Sequence, residues 1–235
     1  PVNILCHGAN TGSISSTLTG GTPIYSYVWN DRDGGPGATT ATRSNLVAGV
    51  YALTATDANG CAINTSLTLT QPTALSTLTQ ITNVSCEGNS NGTASLSVSG
   101  GVLPYRYAWS TGASTSTVSG LAKGNYQVAI TDANGCTVTA SVAITQPLPL
   151  TASVLGTDAL CFGGATGTIT TEVRGGTPAY SYRWSTGSTN PTAQSLAASS
   201  SPYTLTVTDA NGCTAITSTT IGQPQPRAGP TAPST

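Results

Sequence analysis

The sequence predicts an all-β protein built from three antiparallel β-sandwich domains in a row. The hexapeptide TDANGC occurs three times, beginning at residues 56, 131 and 208. Val, Ile, Thr and Tyr are abundant, as they are in strands, and turn signals recur about every 8–12 residues, the spacing of a sandwich. All other motifs fall into register with the hexapeptide, which indicates tandem repeats. We place them at 1–72, 73–147 and 148–224, followed by a Pro-rich tail at 225–235.

The composition excludes several classes of protein. Charged residues make up 6% of the chain, against roughly 25% in an average soluble domain. The formal net charge is −1, and no basic stripe is present that would bind a phosphate backbone. We therefore predict no nucleic-acid partner. Apolar runs are too short for a membrane span, and the lack of a signal peptide suggests a mature or internal segment.

Each repeat opens with a Cys-x-Gly motif and continues into an aromatic strand. The motif begins at Cys6, Cys86 and Cys161, and the aromatic strand reads GGTPIYSYVW, GGVLPYRYAW and GGTPAYSYRW. The first Cys stands 23 residues before the Trp in all three copies. Because alternate residues of a strand share a face, we predict that the aromatic face forms the core; an exposed platform for sugars is the alternative. The predicted core aromatics are Tyr25, Tyr27, Trp29, Tyr105, Tyr107, Trp109, Tyr180, Tyr182 and Trp184.

The hexapeptide predicts the turn of a β-hairpin. Asp accepts backbone N–H bonds at the start of a turn, and Asn and Gly tolerate positive φ. One Asp and one Asn per turn fall short of the six to eight oxygens that Ca²⁺ takes, so we predict no metal and no cofactor. The insertion DRDGGPG, with Asp31 and Asp33, is predicted as a Gly-rich loop. The predicted turn-forming residues are Asp57, Asn59, Gly60, Asp132, Asn134, Gly135, Asp209, Asn211 and Gly212.

A tyrosine that opens the penultimate strand partly matches the corner tyrosine of immunoglobulin domains. In the second repeat this is Tyr126, after Leu121 and a glycine. It precedes the second Cys by ten residues rather than two. The full prediction is three tandem Ig-like antiparallel β-sandwich domains in a row, each with about seven short strands.

These motifs together resemble the SprB-type repeat. The resemblance rests on Cys-x-Gly, GGTPxYSYxW, Leu-x-x-Gly-x-Tyr, TDANGC and a closing ITQP, and it covers about residues 1–224. The repeat is named from a very large cell-surface adhesin of gliding bacteria of the Bacteroidota. The resemblance implies an Ig-like sandwich, an extracellular address and a stalk or adhesive role, without catalytic residues. The first repeat departs from the pattern by DRDGGPG and the third by AASSSP.

The six cysteines predict disulfides. No metal-binding spacing is present, and the chain has one His, so zinc and Cys–His catalysis lack ligands. We predict one disulfide within each repeat, worth on the order of 4 kcal/mol in the chain-entropy model. Pairing between neighbouring repeats is the alternative if the first Cys lies at the opposite pole from the turn. The predicted pairs are Cys6–Cys61, Cys86–Cys136 and Cys161–Cys213.

The sequence predicts a structural protein and not an enzyme. His7 has no partner, and Glu87 and Phe162 take its place in the other copies. We expect a disulfide-stapled extracellular stalk, or a subunit of a surface fibre or filament. A carbohydrate-binding module that uses the aromatic faces to bind surface glycans is the alternative.

The expected partners are further copies of the chain or neighbouring repeats of a longer chain. Strand edges are usually guarded by Lys and other charges, and this sequence has only seven Lys and Arg. We therefore predict association through strands, insensitive to salt. Only five residues precede Cys6, so the first repeat is predicted to lack part of a first strand. Either the chain is cut from a longer array and nothing is exchanged, or the tail 225–235 of one copy lies along the open edge of the next copy's first repeat.

Overall fold

The all-β prediction is confirmed. A computed structural model describes residues 1–30 and 39–227, and within these ranges it contains seventeen strands and no helix. The strand pairs are antiparallel. The insertion with Asp31 and Asp33 lies outside the described residues, as does most of the tail predicted to exchange.

The first repeat contains five strands and the others six each. The first has β1 Gly12–Ser15, β2 Ser26–Asn30, β3 Thr42–Leu46, β4 Gly49–Thr56 and β5 Ala62–Leu69. The second has β6 Ser76–Thr82, β7 Gly92–Ser99, β8 Arg106–Trp109, β9 Thr117–Leu121, β10 Gly124–Thr131 and β11 Thr137–Ile144. The third has β12 Thr151–Thr157, β13 Gly167–Arg174, β14 Ser181–Trp184, β15 Ala193–Leu196, β16 Ser199–Thr208 and β17 Thr214–Ile221.

Each repeat forms two sheets. One has the order β2-β4-β5, which becomes β8-β10-β11 and β14-β16-β17 in the later repeats. The other has the order β6-β7-β9 and β12-β13-β15, but only β1-β3 in the first repeat. There the position of β6 and β12 is occupied by a single bridge between Val2 and Ser13. The predicted seventh strand is absent among the described residues, because residues 110–116 form a turn after Trp109 and leave no length for another strand.

The cores follow the two-residue period of the strands. In β4 the buried residues are Tyr51, Leu53 and Ala55, and the residues between them are half-buried. They pack with residues such as Ile14 and Trp29 in the core of the first repeat. The core of the third repeat is built in the same way from Ile169, Trp184, Ala193, Leu196, Leu205, Val207 and Ile221.

The chain divides into two compact units. One comprises residues 1–81, 94–118 and 125–142, and the other comprises 82–93, 119–124 and 143–235. The division passes through the second repeat, not through the Gln-Pro sequences at which the repeats were separated. The repeat boundaries therefore stay predictions from the sequence.

Candidate functional site

The repeated hexapeptide forms a hairpin turn that is held by its aspartate. Oδ1 of Asp132 accepts hydrogen bonds of 2.9 Å from the backbone N–H groups of Asn134 and Cys136. Its Oδ2 accepts another, of 2.9 Å, from the N–H of Val102 in the Gly-Gly loop. Gly135 has φ +85°, a conformation open to Gly without penalty. Each carboxylate therefore fixes the turn and ties it to the loop; Asp57 and Asp209 make the same set of bonds.

These hydrogen bonds lower the pKa of all three carboxyl groups. For Asp57 the N–H groups of Thr22 and Cys61 lower the pKa most. For Asp132 and Asp209 burial raises the pKa, but the combined backbone N–H bonds outweigh it and the net pKa is lowered. A carboxylate that accepts several backbone N–H bonds is stabilised in its charged form. The turns therefore depend on ionised aspartates.

The aromatic side chains of the repeated strand differ in burial. The three tryptophans are buried, and the indole Nε1–H of Trp109 donates to the carbonyl oxygen of Thr115 at 2.9 Å. The tyrosines are half-buried. The hydroxyl of Tyr105 donates to the carbonyl oxygen of Gly100 at 2.6 Å. The equivalent bonds are made by Trp29, Trp184, Tyr25 and Tyr180.

The Cys-x-Gly motif, near the start of each repeat, forms a loop that lies next to the end of the same repeat. The backbone N–H of Gly8 donates to the side-chain oxygen of Gln71, 63 residues later, at 2.8 Å. This Gln belongs to the closing Gln-Pro pair, so the first Cys lies beside the exit of its own repeat. We call the segments 6–8, 86–88 and 161–163 the Cys loops. The later two are held in the same way, Gly88 by Gln146 and Gly163 by Gln223.

The disulfides join neighbouring repeats, and the predicted pairing within repeats is wrong. Cys6 is bonded to Cys136, and Cys86 to Cys213, with Cα–Cα distances of 5.6 and 5.7 Å. Cys61 and Cys161 are free and exposed. The reason is the position of the Cys loop: it lies at the exit of its repeat, and the following chain leads directly to the turn of the next. Cys6–Cys61, Cys86–Cys136 and Cys161–Cys213 are therefore not formed.

Each disulfide is accompanied by a second contact between the same two elements. The Nδ2 amide of Asn134 donates to the carbonyl oxygen of Leu5 at 2.9 Å, and that of Asn211 donates to the carbonyl oxygen of Ser85 at 2.9 Å. We call each combination of a Cys loop with the turn of the following repeat a junction. The amide thus joins the turn to the residue just before the Cys loop.

The linker between repeats also contacts the Gly-Gly loop of the second repeat. The N–H of Gly101 donates to the carbonyl oxygen of Thr73 at 2.8 Å. A Cβ at Gly100 would collide with the carbonyl oxygen of Ala74. The third repeat repeats this arrangement, with Gly176 N–H bonded to Leu148. Sequence reasoning missed this role of the Gly-Gly pair, although the pair is present before all three aromatic strands.

The described residues contain no group of three His, Cys, Asp or Glu side chains placed to hold a metal ion. Nor does any helix in those ranges have the length and hydrophobicity needed to cross a bilayer.

Comparisons with known proteins agree with the motifs. The SprB repeat family matches the chain at residues 1–34, 78–114 and 156–189, which confirms the predicted resemblance. Each match includes a Cys loop and most or all of an aromatic strand. No curated protein sequence matches the chain.

Several solved structures of Ig domains align with the chain at low similarity. The N-terminal eight Ig domains of Down Syndrome Cell Adhesion Molecule isoform 1.30.30 align with TM-score 0.38 and 16% identity over 92% of this chain and 35% of that one. The amphioxus IgVJ-C2 molecule aligns with TM-score 0.29 and 15% identity over 60% and 99%. The N-terminal four Ig domains of Dscam1 isoform 9.44 align with TM-score 0.31 and 12% identity over 94% and 74%. The chain thus spans about a third of the first structure, and no argument below rests on these likenesses.

Proposed function

Because the chain carries SprB repeats at three places, we propose that it is an extracellular, adhesin-like structural protein without enzymatic activity. Its role is that of a stalk or of a subunit in a surface filament. The observation that carries the proposal is the disulfide between Cys6 and Cys136, repeated between Cys86 and Cys213. Disulfides persist in oxidising, extracellular compartments, and these connect one repeat to the next.

The partners we propose are further copies of the same chain. Salt bridges contribute little to such contacts, because the sequence carries only 6% charged residues. The bridge between Arg174 and Glu172 is exposed on both sides, where a pair contributes roughly 0–1 kcal/mol. Association through backbone groups at strand edges is therefore the mode we propose.

The experiment is electron microscopy and sedimentation of the oxidised full chain at low and high salt. We expect linear assemblies whose length is unchanged by salt, because screening weakens charge pairs and not strand ladders. Deleting residues 225–235 tests the proposed exchange of the tail: shortened assemblies support it, and assemblies of normal length exclude it. Monomers at all concentrations would contradict the filament role.

Glycan binding by the aromatic faces is the second candidate. Tyr27, Tyr107 and Tyr182 are half-buried and not fully enclosed, which favours it. The tryptophans are buried, so a sugar would stack on tyrosines alone. Titration with bacterial surface polysaccharide, followed by tyrosine fluorescence, tests this. A saturable change that is lost in Tyr107→Ala would support it; an unchanged spectrum would exclude it.

A further inference from the structure

We infer that Cys161 of one chain and Cys61 of a second copy form a disulfide that links the copies head to tail. This inference rests on the proposed self-association. The two junctions within the chain contain the equivalent disulfide, in which the cysteine of a Cys loop is bonded to the cysteine that follows the turn of the next repeat. Among the described residues the third Cys loop and the first turn take part in no junction, and their cysteines are the two free and exposed thiols.

The Cys loop of the third repeat already has the geometry that it needs. The backbone N–H of Gly163 donates to the side-chain oxygen of Gln223 at 2.7 Å. This bond matches the one between Gly8 and Gln71 in the loop whose cysteine is bonded. Cys161 is therefore held at the same pole as Cys6 and Cys86.

The turn of the first repeat has the same aspartate hydrogen bonds as the turns that take part in the two junctions. Asp57 holds the backbone N–H of Cys61 at 2.9 Å, as Asp132 holds that of Cys136. One hydrogen of the Asn59 amide is donated to Thr22 Oγ1 at 2.8 Å. Asn211 makes the matching bond to Thr177 and in addition donates to Ser85 across its junction. The second hydrogen of Asn59 would be donated in the same way to the carbonyl oxygen of Leu160.

Apolar side chains flank both thiols. Phe162 is 57% exposed beside Cys161, and Ile63 is 60% exposed two residues after Cys61. In the first junction the corresponding residues, His7 and Val138, line one groove together with the disulfide. Phe162 and Ile63 would therefore meet across the new junction and bury apolar surface that each copy exposes.

The bond requires an oxidant, for which we name a low-molecular-weight disulfide. A thiolate attacks one sulfur of that disulfide, and the thiol of the other copy then displaces the second half from the mixed disulfide. The two protein thiols are oxidised to one disulfide, and the small disulfide is reduced to two thiols. Because the link joins different surfaces of identical copies, it repeats without closing and produces an open chain of subunits.

The test mixes two complementary variants of the full chain in oxidised glutathione. In the internal junctions the linker raises the local concentration to roughly millimolar, so the mixture is prepared at roughly that protein concentration. Cys61→Ser retains Cys161, and Cys161→Ser retains Cys61. We expect the wild type to form a ladder of disulfide-linked oligomers and the mixture to stop at a dimer. Peptide mapping should find Cys61 bonded to Cys161 of the other variant.

Two further variants test whether the junction geometry directs the bond. Asn59→Asp removes both amide donors, so that only the Thr22 hydroxyl can restore its bond by donating to the carboxylate, and nothing is left to donate to Leu160; Ile63→Ser removes the apolar contact with Phe162. Asn59→Asp should slow the formation of the dimer about fivefold, the effect of roughly one net hydrogen bond, and Ile63→Ser should also slow it, because less apolar surface is buried. Asn64→Asp introduces the same charge on β5 and keeps the acceptor for the Thr54 hydroxyl, so it should leave the rate unchanged.

Three outcomes would overturn the inference. These are symmetric Cys161–Cys161 dimers as the main product, an oxidised monomer without free thiols, or thiols that stay free. If the double variant Cys61→Ser/Cys161→Ser still forms filaments of normal length, this disulfide is not needed and the proposed function stands. If wild type and double variant both remain monomeric, the self-association itself is wrong.

Discussion

The Nδ2 amide of Asn134 lies 2.9 Å from the carbonyl oxygen of Leu5, 129 residues earlier in the chain. This bond and the Cys6–Cys136 disulfide connect the same two segments. No redox chemistry is needed to form this hydrogen bond, so we expect it to hold the two segments together before the thiols are oxidised and to favour formation of the disulfide.

Asn134→Ala should lower the effective concentration of the Cys6–Cys136 thiol pair about fivefold, from the loss of roughly 1 kcal/mol of net hydrogen bonding. The measurement is a glutathione redox titration with peptide mapping of the fraction bonded. Asn59→Ala is the matched control, because the Asn59 amide bonds Thr22 within its own repeat. An unchanged fraction bonded in Asn134→Ala would contradict the prediction, and an equal effect of both variants would show that the loss is not specific to this junction.

Gly100→Ala should destabilise the docking of the linker, because a Cβ there collides with the carbonyl oxygen of Ala74. Gly20→Ala is the matched control: it has a similar φ, +82° against +79°, but nothing lies within 4 Å of its added Cβ. We expect Gly100→Ala to lower the free energy of unfolding by about 2 kcal/mol more than Gly20→Ala does. Equal losses in urea unfolding would show that the positive φ alone accounts for the cost.

Stability should fall in acid because of the three turn aspartates. Their pKa values in the folded chain are lowered from the ordinary value of 3.8. The stability that they contribute is therefore present above about pH 3.8, and it is lost as the pH falls further through the lowered pKa values of the folded state. Thermal unfolding followed by circular dichroism should show a Tm that declines below that pH.

Asp209→Asn isolates one of these carboxylates. The substituted amide keeps one acceptor, but its NH₂ group faces the N–H of Thr177, which loses its partner. We expect the Tm at neutral pH to fall by roughly 5 °C, and the acid decline to be shallower. Glu172→Gln is the control, because that carboxylate is exposed. If the Tm of Asp209→Asn declines in acid as steeply as that of the wild type, other groups cause the acid sensitivity.

Ser195→Gly should stabilise the third repeat. Ser195 has φ +57°, and the corresponding residue of the second repeat is Gly120, with φ +73°. A non-Gly residue in this region costs about 1 kcal/mol, so we expect a gain of up to about that amount in urea unfolding. Asn45→Gly, with φ +58°, should gain less, because Asn tolerates this conformation. No gain in Ser195→Gly would mean that the serine side chain compensates for its backbone.

The sequence was sufficient to predict strands and turns, but it was insufficient to predict which cysteines pair. Tyr27 and Trp29 lie on strand β2 at the two-residue spacing read from the sequence, and TDANGC forms the hairpin turn between β4 and β5, because both signals are local. The partner of Cys6 depends on which pole the Cys loop occupies. That pole is fixed by the bond between Gly8 and Gln71, which are 63 residues apart. Spacing alone does not reveal such a contact, and equal spacing in every repeat favoured the wrong pairs.

The two disulfide loops overlap, and this determines how the chain responds to tension. One loop spans residues 6–136 and the other 86–213. A force applied at residues 1 and 227 therefore follows a short covalent path through residues 1–6, 86–136 and 213–227. At roughly 3.5 Å per residue, that path extends to about 250 Å, against about 800 Å for the same chain when reduced. The oxidised protein thus limits its own extension even when its sheets have come apart.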